Sequence, residues 1–520
     1  MDVERFSPVT DAVVRDLEAL VGSRNVSVDP EKRESYSYDQ VGRHLWSQPY
    51  LADAVVFPES TDHAAAVLRF ASERRIPVTP RGAGTGLSGG AVPGFGGLGL
   101  AFDQMNHILE VDTENLTLTA EPGVVTGEIT RAAARESLLY AGDPCSGDAS
   151  FIGGNVAENA GGNKVIKYGP TGSSVLGMEV VLPDGSVTWF GGKRRKDVTG
   201  YDLAHLVVGS EGTLAVVTRV ILRLMPLPHR VVDLLVPFRS TAEAVAFAPR
   251  LLTEGGILPS SIEFLDRRAL TLAERFLNVE LPHAQAGAHL LIQLEGNDPG
   301  RLADDYERVG DLCLASGALE VYVADNRNPR DKLWKARKSV AEAIMAFYTQ
   351  YAKEDLVVPP SRIPDLLTEV DRLCDLYGLE AANYGHVGDG NVHVNLLLPG
   401  RDPSWHQLMD PACRALYEAT ARFGGTLSGE HGIGLKRKKD VGLFLDDVQL
   451  ELLRRVKRAF DPQGILNPGK IVPWGGAGQA RNALRPPGTS VWRTGEQRPG
   501  TKGGGLREEH PLRRGSSAVR

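Results

Sequence analysis

The sequence predicts an α+β protein made of two or three domains. Its length is 520 residues, more than one domain usually contains. Short β-like runs separated by turn residues fill residues 100–228, and helices mix with strands across residues 229–430. Apolar residues make up 42% of the chain and charged residues 24%. The chain can therefore bury a large core, and disorder throughout is excluded.

Composition excludes several other classes of protein. No stretch approaches 18 uninterrupted apolar residues, so we expect no membrane span. The first ten residues lack the basic and apolar segments of a secretory signal. The four cysteines contain no CxxC pair, which argues against a disulfide scaffold, a zinc module and a cysteine-bound iron–sulfur cluster. We therefore expect a cytoplasmic protein.

The charge is unevenly distributed along the chain. The net charge is −7, but residues 475–520 carry nine Lys/Arg and three Asp/Glu, which leaves −13 on residues 1–474. An acidic body is a poor partner for a phosphate backbone, so nucleic-acid binding is not expected of it. The segment 475–520 is rich in glycine and lacks apolar periodicity, which predicts a disordered basic tail.

The first strong local signal is a glycine-rich loop over residues 81–90. A helix beginning near an N-cap at Thr61 and a strand over Ile76–Thr79 precede it. Gly84–Gly89 fits GxGxxG, but prolines and glycines follow where a Rossmann fingerprint must open a helix. We therefore predict a loop between two strands, whose converging backbone amides can bind a phosphate.

Short strands alternate with two further glycine clusters up to Pro228. The clusters cover residues 152–162 and 208–213. The predicted strands are Leu116–Ala120, Met178–Leu182, Val187–Phe190, Leu206–Val208 and Leu214–Leu224.

The second half predicts a helix over Asp331–Phe347, a strand over Asn391–Leu398 and a last helix over Asp447–Phe460. Residues 464–471 nearly match a P-loop. Ile471 stands where a Ser or Thr must bind magnesium, so nucleotide hydrolysis is not predicted.

Two histidines and a Glu-His pair form the densest group of reactive residue types. Asp389-Gly390 predicts a two-residue hairpin turn, which would place His386 directly opposite His393. Directly opposed Cβ atoms lie roughly 4.5–5.5 Å apart, a separation suited to two ligands of one metal ion. Glycines around Glu430 and His431 allow both side chains to face the same site.

The pattern indicates a divalent metal site of two histidines and a carboxylate, suited to zinc, manganese or iron. The alternative is that these polar residues satisfy one another in a polar core. Arg337, on the predicted helix 331–347, can bind a substrate carboxylate through two parallel hydrogen bonds. Lys335 and Lys338 are expected on a solvated helix face.

Six motifs follow one another along the chain: PRGAGTGLSGGA (80–91), the GDP to KYG stretch (142–169), the DVTGYDL to TLAVVT stretch (197–218), YGHVGDGNVHVN (384–395), SGEHGIG (428–434) and DPQGILNPGK (461–470). Together they resemble the FAD-dependent 2-hydroxyacid dehydrogenases of the vanillyl-alcohol-oxidase superfamily, which have a PCMH-type FAD fold. The members that the sequence resembles most are the flavoprotein subunit of glycolate oxidase, D-lactate dehydrogenase and D-2-hydroxyglutarate dehydrogenase.

The resemblance implies a domain plan. A two-subdomain FAD-binding lobe is expected over residues 1–228, with its core at about 49–228. A cap lobe with an antiparallel sheet covered by helices is expected over residues 229–474. Its last part, about 447–474, is expected to return to the FAD lobe.

The resemblance also implies roles for individual residues. FAD would contact the following residues: Arg81, Gly82, Ala83, Gly84, Thr85, Gly86, Leu87, Ser88, Asp143, Pro144, Gly153, Gly154, Asn155, Asn159, Glu211, Gly212, Val217 and Asn467. His386, His393 and Glu430 would bind the metal, and His431 would act as the base. Arg337, Lys353 and Asn395 would bind the substrate.

The implied reaction is oxidation of a small D-2-hydroxy acid, of the lactate or glycolate type, by hydride transfer to flavin N5. The FAD is expected to be non-covalent, because no attachment histidine is present; a cysteinyl link at Cys145 is the less favoured alternative. Ala341 stands where the hydroxyglutarate branch tends to carry a residue with a hydroxyl group. This difference argues against a dicarboxylate substrate without excluding one.

Electrons would pass to an external acceptor. The sequence leaves four candidates for this acceptor: a quinone, a cytochrome, an electron-transfer flavoprotein and an iron–sulfur subunit. Such a partner could hold the protein at the inner membrane, and a homodimer is compatible with the sequence. Alternative functions are D-2-hydroxyglutarate dehydrogenase, an alkylglycerone-phosphate-synthase-like flavoenzyme and, from a different class, a flavin-free metal hydrolase.

Overall fold

Sheets and helices mix throughout the part of the chain that a computed structural model describes, residues 6–41, 46 and 49–473. The predicted tail, 475–520, lies outside the described residues. All the described residues belong to one compact unit. For description we call residues 6–226 the N-terminal lobe and residues 227–473 the C-terminal lobe.

The N-terminal lobe contains two main sheets. Its helices are α1 Asp11–Val21, α2 Pro30–Ser35, α3 Thr61–Arg74, α4 Thr126–Arg135, α5 Ile152–Glu158, α6 Val165–Tyr168 and α7 Leu203–Val207. Its strands are β1 Val26–Ser27, β2 Ala54–Val56, β3 Val78–Arg81, β4 Leu98–Ala101, β5 Ile108–Asp112, β6 Thr117–Ala120, β7 Leu138–Leu139, β8 Val175–Val181, β9 Val187–Gly191, β10 Val216–Arg223 and β11 Met225–Pro226.

The first sheet has the order β1-β2-β4-β3, with β4 parallel to both β2 and β3. The second sheet, β5-β6-β10-β8-β9, is antiparallel throughout. The glycine-rich loop leaves β3 and returns as β4, as predicted. Each sheet has its own apolar core, and the core of the first includes Ile465 and Leu466 from the far end of the chain.

The C-terminal lobe is built on one seven-stranded antiparallel sheet. Its strands are β12 Arg230–Phe238, β13 Ser261–Asp266, β14 Ala288–Gly296, β15 Tyr322–Ala324, β16 Tyr351–Val357, β17 Glu380–His386 and β18 Asn391–Leu397. Its helices are α8 Thr241–Thr253, α9 Arg267–Leu277, α10 Pro299–Ala315, α11 Arg327–Lys338, α12 Val340–Phe347, α13 Ile363–Tyr377, α14 Trp405–Arg422 and α15 Asp447–Phe460.

The strand order of this sheet is β15-β12-β14-β13-β17-β18-β16. Helices cover both faces: one apolar core packs α8, α10, α13 and α14 against it, and a second packs α9 and α12. This α+β arrangement of antiparallel sheets and helices confirms the predicted fold class.

The last helix begins and ends where the sequence predicts, over Asp447–Phe460. Its start is set by a capping box in which Asp446 accepts from the Gln449 N–H while the Gln449 side chain accepts from the Asp446 N–H. Beyond it the chain reaches the N-terminal lobe, where Val78 donates its N–H to Ile465 (2.8 Å) and accepts from the Asn467 N–H (2.7 Å).

Several predicted elements differ from the structure. Residues 206–208 were predicted as a strand, but Leu203–Val207 is a helix whose N-cap, Asp202, accepts from the His205 N–H. The cap outweighs the β propensity of the short apolar run. The predicted helix 331–347 is two helices that meet at Ser339. The helix predicted to cap at Thr61 is capped instead by Ser60, and the strand predicted at 76–79 lies at Val78–Arg81.

None of the helices within the described ranges has the length and apolar character that crossing a membrane requires.

Candidate active site

A cavity of about 470 Å³ lies between the two lobes. The N-terminal lobe supplies its glycine-rich walls. The C-terminal lobe supplies Lys353, Glu430 and His431, together with one face of the α11–α12 region at residues 338, 341, 342 and 345. Lys338 is the last residue of α11, whereas Ala341, Glu342 and Met345 lie on one face of α12.

Most residues predicted to contact FAD lie in the wall of this cavity. The lining members are Arg81, Gly82, Ala83, Gly84, Thr85, Gly86, Leu87, Pro144, Gly153, Gly154, Asn155, Glu211, Gly212 and Val217. Ser88, Asp143, Asn159 and Asn467 do not line it. Asn159 instead ends α5 in a left-handed conformation, and Asn467 donates to Gly90 O (2.9 Å) and Glu211 O (2.7 Å).

The glycine-rich loop offers main-chain donors rather than a charged side chain. The Arg81 guanidinium donates to Tyr38 O at 2.6 Å, and it fills the space that a side chain at Gly84 would need. Gly84 has φ +75°, which favours glycine. Gly154 has no neighbouring atom within 4 Å of an ideal Cβ position, so its wall of the cavity is open to a cofactor. These features suit an anionic dinucleotide bound by backbone amides.

Buried acidic groups stand behind the glycine-rich wall. Burial, with the charge of Glu211 added, raises the pKa of Glu158 well above its ordinary value. Burial also raises the pKa of Glu211, although Ile433 and Gly434 donate their N–H groups to its carboxylate at 2.7 Å each. Burial lowers the pKa of Lys470, next to them, to about 7.

His386 and His393 meet as predicted, but in a different register. A four-residue loop at 387–390 joins β17 to β18, so His386 pairs with Asn391 and His393 with Tyr384. The predicted direct opposition of the histidines is therefore wrong. The difference arises because Asp389 donates its N–H to His386 O and accepts from the Asn391 N–H, which lengthens the turn. The imidazoles are diagonal neighbours on one face, with Nε2 atoms 3.4 Å apart.

Glu430 completes a compact set of donor atoms. Its Oε1 lies 3.5 Å from His386 Nε2, 3.4 Å from His393 Nε2 and 3.5 Å from His431 Nε2. Ligands at zinc bond lengths in a tetrahedral site are separated by roughly 3.4 Å. His386, His393 and Glu430 therefore fit a divalent metal ion in both donor type and spacing.

A carboxylate stands behind each of the two imidazoles. Glu263 Oε1 lies 2.7 Å from His386 Nδ1, and Asp355 Oδ1 lies 3.5 Å from His393 Nδ1. Glu263 hydrogen bonds to His386, a contact that commonly fixes a metal-binding ring and leaves Nε2 for the metal. His393 Nδ1 makes no hydrogen bond to the described residues, so Asp355 acts on this ring through its charge. The sequence reasoning missed both acids. For Glu263 the available signal was an acidic residue between the apolar residues Ile262 and Phe264. Asp355 follows Lys353 and Glu354 in a charged run and offers no such signal.

Asp355 also organises the segment that carries Glu430 and His431. Its Oδ2 accepts from the N–H groups of residues 429, 430 and 431, each at 2.9 Å, and from the Ser428 hydroxyl at 2.7 Å. Asp355, His393, Glu430 and His431 have potential ligand atoms within 4.8 Å of one another. Because the oxygens of Asp355 are already engaged, we assign it to support rather than to ligation.

The electrostatics of the cluster favour a charged carboxylate. Burial would raise the pKa of Glu430, but the charge of His386 and hydrogen bonds from His386 and His431 hold that pKa well below its ordinary value. Burial opposes charge on His386, yet Glu263 and Glu430 outweigh it and raise the pKa of His386. Burial lowers the pKa of His393.

The predicted substrate residues lie in three different settings. Lys353 lines the cavity, and burial together with the charge of Lys436 lowers its pKa to about 8. Arg337 is buried, donating from Nε to Glu263 Oε2 at 2.7 Å. Asn395 is buried behind His393 and donates to Ala382 O. Lys335 and Lys338 are exposed, as predicted, although Lys338 also lines the cavity.

Two family models match the chain in sequence order. The model described as "FAD binding domain" matches residues 52–191, and "FAD linked oxidases, C-terminal domain" matches residues 227–471. The chain is also 37% identical over 464 residues to glycolate oxidase subunit GlcD of Bacillus subtilis (strain 168), covering 89% of this chain and 97% of that protein. The chain therefore belongs to the FAD-linked oxidoreductases. This confirms the predicted resemblance, and the flavin-free hydrolase alternative is wrong.

Two further relatives are named as dehydrogenases of 2-hydroxy acids. The chain is 34% identical to D-lactate dehydrogenase of Anaerostipes hadrus (91% of this chain, 99% of that protein). It is 33% identical to mitochondrial D-2-hydroxyglutarate dehydrogenase of Bos taurus (90% and 85%).

Solved structures share the fold. p-Cresol methylhydroxylase with substrate bound has a TM-score of 0.73 at 18% identity, covering 88% of this chain and 96% of that one. Alkyldihydroxyacetonephosphate synthase has a TM-score of 0.70 at 17% identity, covering 90% and 87%. These likenesses support the fold alone.

Proposed function

We propose that the protein is a dehydrogenase of a small D-2-hydroxy acid, of the lactate or glycolate type, that uses non-covalent FAD. One observation carries the proposal. A single cavity is lined both by the glycine-rich walls suited to a dinucleotide and by Glu430 and His431, next to the paired histidines. The relatives named as glycolate oxidase and D-lactate dehydrogenase support the same substrate class.

His386, His393 and Glu430 are the proposed ligands of a divalent metal. A metal ion here would lower the pKa of a substrate hydroxyl. The protein prepares the site by holding the His386 imidazole with Glu263, by placing the Asp355 carboxylate near His393 and by keeping Glu430 charged. The close approach of Gly161 adds a steric limit, because an ideal Cβ there would lie 2.6 Å from Glu430 Oε2.

His431 is the proposed base that takes the hydroxyl proton. Its ring stacks on His393, with centroids 5.2 Å apart and an interplanar angle of 6°, and it lines the cavity. Its Nδ1 lies 3.8 Å from Asp355 Oδ2, too far for a hydrogen bond. The main chain of His431 is fixed through its N–H to that same oxygen, so the ring is held in place without its nitrogens being fully engaged.

Arg337, Lys353 and Asn395 are the proposed substrate residues. Lys353 lines the cavity directly and offers a cation to the substrate carboxylate. Arg337 pairs with Glu263, but a guanidinium has five N–H donors, so it keeps donors for a second carboxylate. Asn395 lies beside Lys353 on the neighbouring strand.

FAD, when bound, supplies the redox chemistry by accepting the substrate's α-hydrogen with its electron pair. The chain's part is to bind the dinucleotide through the amides of the glycine-rich walls and to close the cavity with the α11–α12 face. Cys145 lines the cavity, so a flavin attached covalently to this cysteine remains the less favoured alternative. Acid precipitation distinguishes the two forms, because it releases non-covalent FAD and leaves an attached flavin on the protein. The four cysteines lack the spacing of a cluster site, so we propose an external electron acceptor.

The test is an anaerobic visible spectrum of the purified protein, followed by addition of D-lactate, glycolate or D-2-hydroxyglutarate. Bleaching of the flavin bands by D-lactate or glycolate supports the proposal. A protein that takes up no FAD, or whose flavin none of the three acids reduces, contradicts it. Bleaching by D-2-hydroxyglutarate alone would favour a second candidate function, D-2-hydroxyglutarate dehydrogenase. Lys338 at the cavity wall offers a further cation for the second carboxylate of that substrate.

A further inference from the structure

The segment 428–434, which carries Glu430 and His431, is held by two buried carboxylates from different lobes. Asp355 of the C-terminal lobe accepts the N–H groups of residues 429–431 at 2.9 Å. Glu211 of the N-terminal lobe accepts those of Ile433 and Gly434, each at 2.7 Å. Each carboxylate holds one end of the segment, and His431 lies between them.

Glu211 is also part of the cofactor cavity. It lines that cavity and has φ +51°, a left-handed conformation that a residue other than glycine keeps only when its surroundings fix it. Its N–H donates to Ala157 O and its carbonyl accepts from Asn467, each at 2.7 Å. One residue therefore forms part of the cavity wall and, through its side chain, holds Ile433 and Gly434 of the segment 428–434.

We propose that Glu211 couples the occupancy of the cofactor cavity to the affinity of the metal site, so that FAD and the metal ion bind with positive cooperativity. The inference rests on the proposed function, which places FAD in the cavity and the metal at His386, His393 and Glu430. It adds a relation between the two sites and names Glu211 as a positioning residue.

The physical basis is the wide range of backbone conformations open to the glycines of the segment 432–434. Gly432 and Gly434 have φ +82° and +52°, so the segment depends on its contacts to stay in one conformation. A cofactor packed against residue 211 removes the freedom of that wall and fixes the two hydrogen bonds to Ile433 and Gly434. Glu430, three residues earlier, then pays less conformational entropy when it binds the metal.

The experiment measures the affinity of the metal-free, FAD-free protein for Zn²⁺, with and without saturating FAD. Wild-type protein should bind Zn²⁺ at least about fivefold more tightly with FAD, the lower end of typical coupling between sites. Glu211→Gln places an amide N–H against one main-chain donor, so the ratio should fall towards one. Asp53→Asn is the matched control, because Asp53 accepts from the Gly97 N–H at 2.8 Å and does not line the cavity. It should keep the wild-type ratio.

Two measurements on the wild type keep the inference falsifiable if the Glu211 variant takes up no FAD. Zn²⁺ must raise the affinity for FAD by the same factor, because coupling is reciprocal. FAD alone must also slow hydrogen exchange at the amides of Ile433 and Gly434. A ratio near one in the wild type, an unchanged ratio in Glu211→Gln, or unchanged exchange would overturn the inference. Failure to bind FAD or Zn²⁺ at all would instead contradict the proposed function.

Discussion

Glu263 and His386 face each other across neighbouring strands β13 and β17, and Glu263 Oε1 lies 2.7 Å from His386 Nδ1. The same carboxylate pairs with Arg337 through its other oxygen, Oε2. One buried acid therefore orients a proposed metal ligand and neutralises a proposed substrate-binding cation. It links the two halves of the candidate site.

Glu263→Gln should weaken metal binding. The substitution removes the negative acceptor behind His386, and loss of such a partner typically costs 10–100-fold in metal affinity. Titration of the metal-free protein with Zn²⁺ measures the change. Asp233→Asn is the control, because Asp233 is another fully buried acid of the same sheet, paired with Arg330 of α11. Equal effects of the two variants would show a general loss of stability rather than a role at the metal.

His431→Asn should leave FAD bound but slow its reduction by the hydroxy acid. Loss of a general base typically costs roughly 10²–10⁴-fold in rate. Anaerobic stopped-flow at 450 nm (roughly the band of any bound oxidised flavin) measures the reduction rate. His289→Asn is the control, since His289 is fully buried in β14 and does not line the cavity. A His431 variant that reduces FAD at the wild-type rate would remove His431 from the proposed base role.

Substrate capture should weaken above pH 8. The pKa of Lys353 is lowered from about 10.5 to about 8 by burial and by Lys436, so its charge is present below pH 8 and lost above it. We expect kcat/KM to fall about tenfold per pH unit above that value, as for any essential protonated group. Lys353→Arg keeps its charge throughout and should flatten this limb. A limb that persists unchanged in Lys353→Arg would assign it to another group.

Gly161→Ala should disturb the metal site, because Gly161 lies directly against Glu430 at the cavity wall. An added Cβ would lie 2.6 Å from Glu430 Oε2 and 3.0 Å from its Cβ, so Glu430 must move. A displacement of about 1 Å can cost roughly 100-fold in turnover. Steady-state kinetics measures the loss of turnover, and metal analysis of the purified protein measures the bound zinc. Gly296→Ala, where no atom lies within 4 Å, is the matched control. Normal zinc content and turnover in Gly161→Ala would contradict the assigned position of Glu430.

The parts of the site that sequence reasoning found share a local signature. These parts are the glycine-rich loops, the His386–His393 hairpin and the Glu430-His431 pair. Within each of them the important residues are close together in sequence, so the pattern can be recognised without the structure. Glu263 was missed because it lies 123 residues from its partner His386 and has no motif around it. Asp355 was missed for the same reason.

The predicted register failed because it depends on turn geometry. Asp389-Gly390 favours a two-residue turn, but the Asp389 side chain accepts from the Asn391 N–H and extends the loop to four residues. The outcome for the imidazoles was similar, since a diagonal pair also brings their Nε2 atoms together. The single helix predicted at 331–347 failed at Ser339, where nothing in the apolar periodicity marks the break.

The contact of residues 465–467 with the N-terminal lobe has a consequence for biosynthesis. Val78 holds this segment through two main-chain hydrogen bonds, and Asn467 supports the carbonyls of Gly90 and Glu211 at the cavity wall. A ribosome makes the N-terminal lobe well before it makes residues 465–467. On the nascent chain, the cavity wall at Gly90 and Glu211 therefore lacks these two hydrogen bonds until residue 467 has been translated.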